Sequence, residues 1–337
     1  MDLFGKDFIC TQEWSLDELE AVLELAARMK RERYSPRWTS LLEYKTFLMF
    51  FYNPSVRTRQ SFETAATELG GHAQFLEPSA MRLKTATTAG ETVEDAAQVM
   101  SRYGHGLGIR ILEDKIGYYG EGDELLREYA RWGSIPVISM AHDKFHPCQG
   151  LADLMGLRAR LGDVRGKKAL LTWGSGALAR SWCSVQEFLL VSSRFGMNVT
   201  MAYPEGYDLD PAVIAQTQAN CAANGMTFEV VHDSRSGYDG ADVVYARNWV
   251  TPQAYAGGLL DKKGEIEKAF QHPGWITDAE RMRKTNNALF THPMPVDRGH
   301  EVTDEIASGP NSIIYDVAEN RLHVQKALMA LTMSDKL

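Results

Sequence analysis

One stretch constrains the fold more than any other, because it changes abruptly from an apolar run to a cationic, hydroxyl-rich segment. Residues 47–52 (FLMFFY) form an uninterrupted hydrophobic run of strand length, which is typical of a central strand covered on both faces. Asn53 and Pro54 end the run, Ser55 is a suitable helix N-cap, and the two glycines at 70–71 are suited to end the helix. The stretch therefore predicts a buried strand followed at once by a helix.

The start of this predicted helix has the composition of an anion site. Ser55, Arg57, Thr58 and Arg59 lie in its first turn or beside it. Helix N-termini present unpaired N–H groups and a partial positive charge, and ligands of open α/β sheets bind at the carboxyl ends of strands. Guanidinium and hydroxyl groups in that place suit a phosphate. We therefore predict a phosphate site; the alternative is an ordinary basic helix start paired with surface carboxylates.

Length, charge and cysteine usage bound the class of protein. At 337 residues the chain exceeds the size at which a single core usually divides, which predicts two domains. A formal net charge of -8 argues against nucleic acid as the main partner, so any anion site is local. Cys10, Cys148, Cys183 and Cys221 form no CxxC pair and lack metal-ligand spacing, which predicts free thiols and no metal. Because no signal peptide or membrane-length apolar stretch is present, we predict a cytoplasmic protein without a membrane partner.

Strand-like and helix-like segments alternate along the whole chain. This alternation predicts an α/β fold of two doubly wound parallel-sheet domains, spanning residues 1–147 and 148–318. A C-terminal helix is predicted at 319–337, and we expect it to pack back on the first domain. Strands are predicted at 47–52, 72–76, 106–112, 135–140, 166–173, 198–203, 227–231, 241–245, 287–291 and 312–315. Residues 78–90 have little apolar periodicity, and a loop of that length is predicted to be functional or mobile.

A glycine-rich segment after the strand predicted at 166–173 suggests a different class of protein. Gly174-Ser-Gly176-Ala-Leu-Ala179 fits the dinucleotide fingerprint G-x-G-x-x-A and is expected to open a helix. The fingerprint also requires an acidic residue at the end of the next strand, and Glu205 follows a proline that would disturb its reach. A glycine turn for close strand-to-helix packing explains the motif too, so a dehydrogenase is an alternative.

Further polar residues fall at the ends of predicted strands in both halves. Each has an ordinary structural explanation when taken singly, such as a buried histidine with satisfied hydrogen bonds or a surface arginine near a carboxylate. Together with the Ser55–Arg59 segment they describe a net-positive cleft suited to a small, multiply charged anion. These residues are Arg110, His146, Gln149, Arg247, His292, Arg298 and Arg321.

Several motifs resemble those of one enzyme family. Ser55-Val-Arg-Thr-Arg59, Gly90-Glu-Thr92, His146-Pro-Cys-Gln149 and His292-Pro-Met-Pro295 resemble, in sequence and order, the carbamoyl phosphate motifs of the aspartate and ornithine carbamoyltransferase family. The stretches at 245–249 (YARNW) and 319–326 (ENRLHVQK) look closest to the branch that acts on N-acetylornithine and N-succinylornithine. The resemblance covers nearly the whole chain.

The resemblance implies a homotrimer with active sites at subunit interfaces, and a reaction that needs no metal or cofactor. Carbamoyl phosphate would bind an N-terminal domain, and the catalytic residues Arg110, His146 and Thr58 would polarise its carbamoyl oxygen. The implied carbamoyl phosphate residues are Ser55, Val56, Arg57, Thr58, Arg110, His146, Gln149 and Arg321. The implied residues that bind the amino-acid acceptor are Val93, Arg247, Trp249, His292, Pro293, Met294 and Arg298.

The resemblance implies carbamoyl transfer to the side-chain amine of N-acetylornithine or N-succinylornithine, which gives an N-acylcitrulline in arginine biosynthesis. Ornithine enzymes bind the cationic α-amino group with an aspartate, where this chain has Arg247. Two unit positive charges at 4 Å repel by about 4 kcal/mol at an effective dielectric of 20, and an acyl group removes one of them.

Other acceptors and one other role stay open. His292-Pro-Met-Pro295 is nearer the His-Pro-Leu-Pro of aspartate enzymes than the His-Cys-Leu-Pro of ornithine enzymes. Aspartate enzymes also place a lysine just before Gly-Glu-Thr, where this chain has Thr87-Thr88-Ala89. The alternatives are an ornithine or aspartate carbamoyltransferase, or a catalytically silent relative that binds carbamoyl phosphate.

Overall fold

The chain divides into two compact units in the computed structural model, which describes residues 2–78, 90–256 and 260–337. The first unit contains residues 1–151 and 319–337, and the second contains residues 152–318. The junction predicted between 147 and 148 falls shortly before this boundary. Most of the segment predicted as a functional or mobile loop, residues 79–89, lies outside the described residues.

The first unit is built around a four-stranded, all-parallel sheet with the strand order β2-β1-β3-β4. Parallel strands require crossovers over the faces of the sheet, and the helices that follow each strand supply them. The elements are α1 (Leu16–Arg31), β1 (Thr46–Phe51), α2 (Val56–Glu68), β2 (His72–Leu76), α3 (Val93–Tyr103), β3 (Gly106–Ile111), α4 (Glu121–Trp132), β4 (Val137–His142) and α5 (Pro147–Leu161).

The second unit has a five-stranded parallel sheet with the strand order β7-β6-β5-β8-β9. The two parallel sheets confirm the predicted α/β class, and the C-terminal residues group with the first unit. The elements are β5 (Lys168–Trp173), α6 (Cys183–Arg194), β6 (Asn198–Ala202), α7 (Pro211–Asn224), β7 (Phe228–Val231), β8 (Val243–Arg247), α8 (Lys262–Ala269), α9 (Ala279–Met282), β9 (Leu289–Thr291) and α10 (Asp304–Ala307). The last helix, α11 (Ile314–Met333), begins in this unit, and its residues from 319 onward belong to the first unit.

The prediction of a strand at residues 312–315 is wrong. Ser312 makes an isolated bridge to Phe290 at the sheet edge, and α11 begins at Ile314. Two hydrogen bonds join this short stretch to β9, from Phe290 N–H to the Asn311 carbonyl and from Ile313 N–H to the Phe290 carbonyl. Apolar residues that cover a sheet edge and open a buried helix have the same composition as a strand, so the sequence pattern could not separate them.

β1 and α2 form the core of the first unit and place the predicted phosphate site. Phe47 on β1 stacks on Phe62 of α2 with ring centroids 5.4 Å apart, and both side chains are fully buried. Burial of each such side chain stabilises the fold by about 1.5–3 kcal/mol. The contact fixes α2 against the sheet, with its N-terminus at the carboxyl end of β1.

None of the helices in the described ranges is long and apolar enough to cross a membrane. The four cysteines are buried, and none forms a disulfide in the part of the chain that the structure describes.

The two glycines after α2 end the helix in the predicted way. Gly70 has a left-handed φ of 79°, and the N–H groups of Gly70 and Gly71 donate to the carbonyls of Thr67 and Ala66. A Cβ at Gly70 would lie 1.9 Å from the carbonyl oxygen of Thr39. Both the backbone conformation and the lack of space therefore require glycine at this position.

We expect Gly70→Ala to lower the free energy of unfolding by more than the roughly 1–2 kcal/mol of a left-handed alanine, because the methyl group also displaces the Thr39 backbone. Gly225→Ala is the matched control, since Gly225 has a φ of 69° at the end of α7 and open space around a Cβ. Denaturant unfolding followed by circular dichroism measures both. Equal losses for the two variants would contradict the steric argument.

Candidate active site

The predicted phosphate site forms a hydrogen-bonded cradle, defined as residues 55–58, at the start of α2. Ser55 caps the helix, and its Oγ accepts the N–H of Thr58 at 3.4 Å. The Ser55 hydroxyl also donates to Thr58 Oγ1 at 3.0 Å. Arg321 of α11 donates to the same oxygen at 2.8 Å. Since Thr58 Oγ1 accepts two hydrogen bonds, its own proton is directed to a third partner, and a ligand oxygen can fill that role.

β3, which pairs with β1, and β4, which pairs with β3, bring further predicted residues to the same edge of the sheet. Arg110 lies near the end of β3 opposite Phe51, and His146 follows β4 directly before α5. Gln149 lies in the first turn of α5, where its N–H donates to the His146 carbonyl at 2.8 Å. Because the carboxyl ends of parallel neighbours meet at one edge, Arg110 and His146 share that edge with the cradle.

A bulge changes the direction of the strand at Arg110. Ile109 pairs with Ser139 of β4, whereas Arg110 pairs with Ala141, so one residue of β4 is left out of the register. Bulges of this kind re-aim side chains and recur next to active sites. The sequence contains no signal for this register shift, which sets the direction of the Arg110 side chain.

Other predicted residues of the first unit lie at helix starts. Val56, 70% exposed, is the first residue of α2, and Val93 is the first residue of α3 after the N-cap Thr92. Arg59 pairs with Glu63 at 2.8 Å and lies over the ring of Phe75. Arg59 therefore has structural partners, whereas the contacts predicted for Val56 and Val93 stay predictions.

In the second unit, Arg247 ends β8 with a guanidinium that is almost wholly buried. It pairs with Trp173 at the end of β5, and its side chain is 7% exposed. Its Nε and Nη1 atoms have no hydrogen-bond acceptor among the described residues. Native proteins rarely leave buried N–H groups of a charged side chain without an acceptor, because the desolvation penalty is large. Arg247 is thus suited to bind an anionic group of a ligand.

His292 follows β9 and is held in one tautomer by two hydrogen bonds. Its Nδ1 accepts the N–H of Met294 at 2.8 Å, and its Nε2 lies 3.0 Å from Oε2 of Glu301. A ring nitrogen that accepts a backbone N–H carries no proton, so Nε2 is the donor to Glu301. Burial lowers the pKa of His292, and the ring is therefore neutral near pH 7.

Glu301 is a buried carboxylate that no sequence motif indicated. It accepts hydrogen bonds from the N–H groups of Asn248 at 2.7 Å and Asp297 at 2.8 Å, in addition to His292. Burial works against its ionisation, but the interaction with His292, the charge of Arg247 and the Asn248 N–H outweigh it and lower the pKa of Glu301 to about 2. One ionised carboxylate thus joins the ends of β8 and β9.

The segment after Arg247, residues 248–251, is held by hydrogen bonds along its length and is called the 248–251 loop below. Asn248 Nδ2 donates to the Gly174 carbonyl, and the N–H of Val250 donates to the Arg180 carbonyl. The N–H and hydroxyl of Thr251 both donate to Glu265. The loop is therefore preorganised, which reduces the free energy needed to order a binding site.

Trp249 of the 248–251 loop is fully buried, and its indole N–H donates to the Tyr207 carbonyl at 2.8 Å. Its carbonyl accepts the indole N–H of Trp173 at 2.9 Å. These contacts give Trp249 a structural function, and its predicted contact with the acceptor stays a prediction.

The remaining residues predicted to bind the acceptor follow His292 in the sequence. Pro293 is buried, and Met294 has a φ of 62° and precedes a cis peptide bond. Arg298 donates to Asp304 at 2.8 Å and to Ser308 at 2.9 Å. Arg298 already has an anionic partner, so Arg247 is the better placed of the two arginines for an anionic ligand group.

The segment that resembled a dinucleotide fingerprint has a different geometry. The helix after β5 begins at Cys183 and not at the glycines. The N–H of Ala177 donates to Oδ2 of Asp297 at 2.7 Å, and a Cβ at Gly174 would lie 3.0 Å from the Glu301 backbone. The glycines therefore make room for residues 297–301, and no helix N-terminus follows them directly to bind a pyrophosphate.

No periodic pattern could have identified Glu301, Asn248 or Asp297. They lie in loops, where polar residues are usually exposed. Their function follows from the meeting of β5, β8 and β9 at one edge, which is a property of the tertiary structure.

Comparison with known proteins identifies the class. Residues 6–159 match the family model "Aspartate/ornithine carbamoyltransferase, carbamoyl-P binding domain". Residues 180–332 match the model "Aspartate/ornithine carbamoyltransferase, Asp/Orn binding domain". The two models together cover most of the chain. The chain therefore belongs to the aspartate/ornithine carbamoyltransferase family.

The individual relatives include carbamoyltransferases that are named for N-acetylornithine and for ornithine. The chain is 37% identical over 337 residues to N-acetylornithine carbamoyltransferase of Xanthomonas campestris pv. campestris, covering 96% of this chain and 97% of that protein. It is 35% identical over 333 residues to ornithine carbamoyltransferase of Thermococcus kodakarensis, covering 99% and 98%. An acetylornithine transcarbamylase complexed with acetylcitrulline has a similar structure, with a TM-score of 0.90, 36% identity and coverage of 98% and 100%. The protein is accordingly a carbamoyltransferase.

We expect Glu301→Gln to lower the free energy of unfolding by about 1.5–3 kcal/mol at pH 7, because an amide cannot accept all the hydrogen bonds of the carboxylate. The pKa of Glu301 is lowered from 4.5 to about 2, so its stabilisation is complete above pH 4.5 and is lost as the pH falls toward 2. The difference between wild type and variant should therefore narrow below pH 4.5.

Denaturant unfolding of the wild type and variant from pH 7 to pH 3 measures this difference. Glu267→Gln is the control, because the Glu267 side chain is 67% exposed. A Glu301→Gln difference that stays constant down to pH 3 would show that ionisation of this carboxylate does not stabilise the fold.

Proposed function

We propose that this carbamoyltransferase transfers the carbamoyl group of carbamoyl phosphate to the side-chain amine of an N-acylated ornithine, with N-acetylornithine as the main acceptor. The products are an N-acylcitrulline and phosphate, in arginine biosynthesis. The observation that carries the choice of acceptor is the buried Arg247 guanidinium, near carboxylates whose oxygens each already accept a hydrogen bond. The solved relatives with bound acetylcitrulline, or with carbamyl phosphate and N-succinyl-L-norvaline, support it.

In this proposal the first unit binds carbamoyl phosphate, in agreement with the family model that it matches. The phosphate oxygens accept from the N–H groups at the start of α2, from the Arg57 guanidinium and from the Ser55 hydroxyl, whose one proton turns from Thr58 Oγ1 to the phosphate when the ligand binds. Arg321 contributes through Thr58, with which it shares a hydrogen bond of 2.8 Å. Gln149 binds the carbamoyl NH2 group.

The chemistry consists of attack by an amine and loss of phosphate. The neutral amine of the acceptor attacks the carbamoyl carbon, and negative charge develops on the carbamoyl oxygen. Arg110, His146 and the hydroxyl proton of Thr58 stabilise that charge. The C–O bond to phosphate then breaks, the phosphate leaves with the electron pair, and the amine nitrogen transfers its proton to the departing phosphate. Alignment of the two substrates can contribute on the order of 7–11 kcal/mol to lowering the barrier.

The second unit binds the acceptor, in agreement with the second family model. The α-carboxylate of the acceptor binds Arg247, whose Nε and Nη1 have no acceptor among the residues that the structure describes. His292, Pro293 and Met294 border the amine. A free α-ammonium would require a carboxylate that is not already held by other donors.

The carboxylates near Arg247 are poorly suited to bind an ammonium. Both oxygens of Glu301 accept N–H donors, Oε1 from Asn248 and Oε2 from His292 and Asp297. Asp297 is engaged through Oδ2 with Ala177 and through Oδ1 with His300 at 3.1 Å. An N-acyl group removes the ammonium charge and leaves the carboxylate for Arg247, so an acylated acceptor fits this environment better than ornithine.

Ornithine is the second candidate acceptor, because an ornithine carbamoyltransferase covers 99% of this chain at 35% identity. We also propose a cytoplasmic homotrimer with active sites at subunit interfaces, which rests on the motif resemblance. Light scattering in solution tests the trimer; a monomer or dimer at micromolar concentration would contradict it.

We expect carbamoyl phosphate to be consumed fastest with N-acetylornithine when N-acetylornithine, N-succinylornithine, ornithine and aspartate compete at equal concentration. The reason is the repulsion between Arg247 and the α-ammonium of ornithine. Mass spectrometry of the products measures the distribution. Preferential formation of citrulline or carbamoyl aspartate would contradict the proposal.

Arg247→Lys is the companion variant in that assay. Lysine keeps the charge but loses the planar fork that matches a carboxylate, so KM for the acceptor should rise while KM for carbamoyl phosphate is unchanged. An unchanged KM for the acceptor would remove Arg247 from the proposed site.

We expect Arg57→Ala and His146→Ala to affect different steps. Arg57→Ala should abolish the rise in melting temperature that carbamoyl phosphate gives the wild type, because the phosphate loses a charged donor. His146→Ala should preserve that rise and lower kcat by on the order of 10² to 10³, because its donor acts mainly on the developing oxyanion. Arg59→Ala is the control outside the cradle, since Arg59 pairs with Glu63.

Thermal melts with carbamoyl phosphate and steady-state kinetics separate the two effects. Full turnover in His146→Ala would remove its proposed catalytic function, and a normal melting shift in Arg57→Ala would remove Arg57 from the phosphate site.

A further inference from the structure

Asn53 lies in the turn between β1 and the cradle. The sequence pattern indicated only that Asn53 and Pro54 end the strand. Its side chain is 6% exposed, although it precedes Pro54 at the surface. The proline restricts Asn53 to extended backbone conformations and cannot donate a hydrogen bond itself. A buried amide at such a position needs partners, and both of its polar atoms have them.

The amide oxygen of Asn53 extends the pairing of β1 with β3. The N–H of Tyr52 donates to the Arg110 carbonyl at 3.0 Å, and in a regular parallel ladder the Tyr52 carbonyl would next accept the N–H of Leu112. Here Leu112 N–H donates instead to Asn53 Oδ1 at 2.7 Å. The side chain therefore continues the ladder at the point where the main chain leaves the sheet to enter α2.

The amide nitrogen of Asn53 fixes the same segment at a second point. Its Nδ2 donates to Oδ1 of Asp114. A neutral donor to a carboxylate gives a stronger bond than a neutral pair. Asn53 thus holds residues 112–114, which follow Arg110 closely in the chain, against the turn that leads to the cradle.

This connection matters because the other neighbour of β3 is irregular at the same place. The register between β3 and β4 shifts between Ile109 and Arg110, so β4 constrains Arg110 less than a regular ladder would. On the β1 side, the backbone around Arg110 is held through Tyr52 and Asn53. Of these two, Asn53 is the residue that ties this backbone to the turn that carries Ser55.

We propose that Asn53 is a positioning residue for carbamoyl transfer, because its amide sets the separation between Arg110 and the phosphate cradle. Arg110 then meets the carbamoyl oxygen while the cradle holds the phosphate of the same molecule. This inference rests on the proposed function of the cradle and adds a residue that touches no substrate.

Variants at Asn53 and Asp114 test the proposal by kinetics with carbamoyl phosphate and N-acetylornithine. Asn53→Ala removes both hydrogen bonds and should lower kcat/KM for carbamoyl phosphate by up to about 100-fold, as misplacement of a reacting group by about 1 Å can do. KM for the acceptor should not change. Asn53→Asp should also lose activity, because it places a carboxylate against Asp114.

The exchange variant Asn53→Asp/Asp114→Asn should recover most of that loss. It restores an amide–carboxylate pair with the donor and acceptor interchanged and leaves an oxygen to accept Leu112 N–H. Asp114→Asn is also measured alone. This control shows whether the recovery comes from the restored pair or from the change at Asp114 by itself. If Asn53→Ala does not fold, the comparison of Asn53→Asp with the exchange variant still decides the question.

Asn198→Ala is the matched control. Asn198 also connects neighbouring strand ends, accepting Thr227 N–H at 3.0 Å and donating to the Gly166 carbonyl at 2.8 Å, but it lies at the start of β6 in the second unit. It should lose stability without a change in KM for carbamoyl phosphate.

The outcomes separate this inference from the proposed function. An effect of Asn53→Ala no larger than that of Asn198→Ala, or an exchange variant no better than Asn53→Asp, overturns the inference for Asn53 alone. A wild-type protein that neither binds nor consumes carbamoyl phosphate overturns the proposed function and this inference together. A loss of kcat/KM for carbamoyl phosphate in the Asn53 variants, together with its recovery in the exchange variant, supports the inference for Asn53.

Discussion

Parallel pairing of strands is the constraint on which the rest of this structure depends. Because the pairs β1–β3 and β5–β8 are parallel, each chain segment must cross a face of the sheet before it pairs again, and every strand ends at the same edge as its neighbours. The polar residues that follow the strands are thereby gathered without being near one another in sequence. A positive first turn of α2 can then serve as an anion site only because it lies at that edge.

The two units differ in the charged groups that they contain and in how those groups are hydrogen-bonded. The cradle is a set of donors with a few internal hydrogen bonds, and Arg321 of the distant C-terminal helix reaches Thr58 to complete it. The second unit instead contains a buried carboxylate, Glu301, whose hydrogen bonds from two loops and His292 fix the strand ends around it. Buried charge is unfavourable unless its hydrogen-bonding capacity is filled, so the three donors and the position of Arg247 depend on one another.

The glycine turn after β5 shows why a short motif needs its structural context. Gly174 and Gly176 occupy the place of a dinucleotide fingerprint, and the strand before them is present. The chain then approaches residues 297–301 so closely that a side chain at either glycine would meet Glu301 or Asp297. The same glycines that would admit a pyrophosphate in a dinucleotide enzyme here admit a carboxylate of the protein. They allow two loops of the second unit to pack in close contact.

The sequence by itself determined the alternation of strands and helices, the cap and end of α2, and the parallel α/β class, because these depend on local periodicity and on capping chemistry. It also indicated the cradle and the strand-end residues Arg110, His146 and Arg247. Only the tertiary structure decided that residues 312–315 form an isolated bridge to the sheet edge and the start of α11 instead of a strand, that β3 shifts register at Arg110, and that Glu301 is buried. Each of these depends on which strands become neighbours, and the free energy of a buried charge or a bulge is set by partners far away in sequence. Local pattern carries no information about those partners.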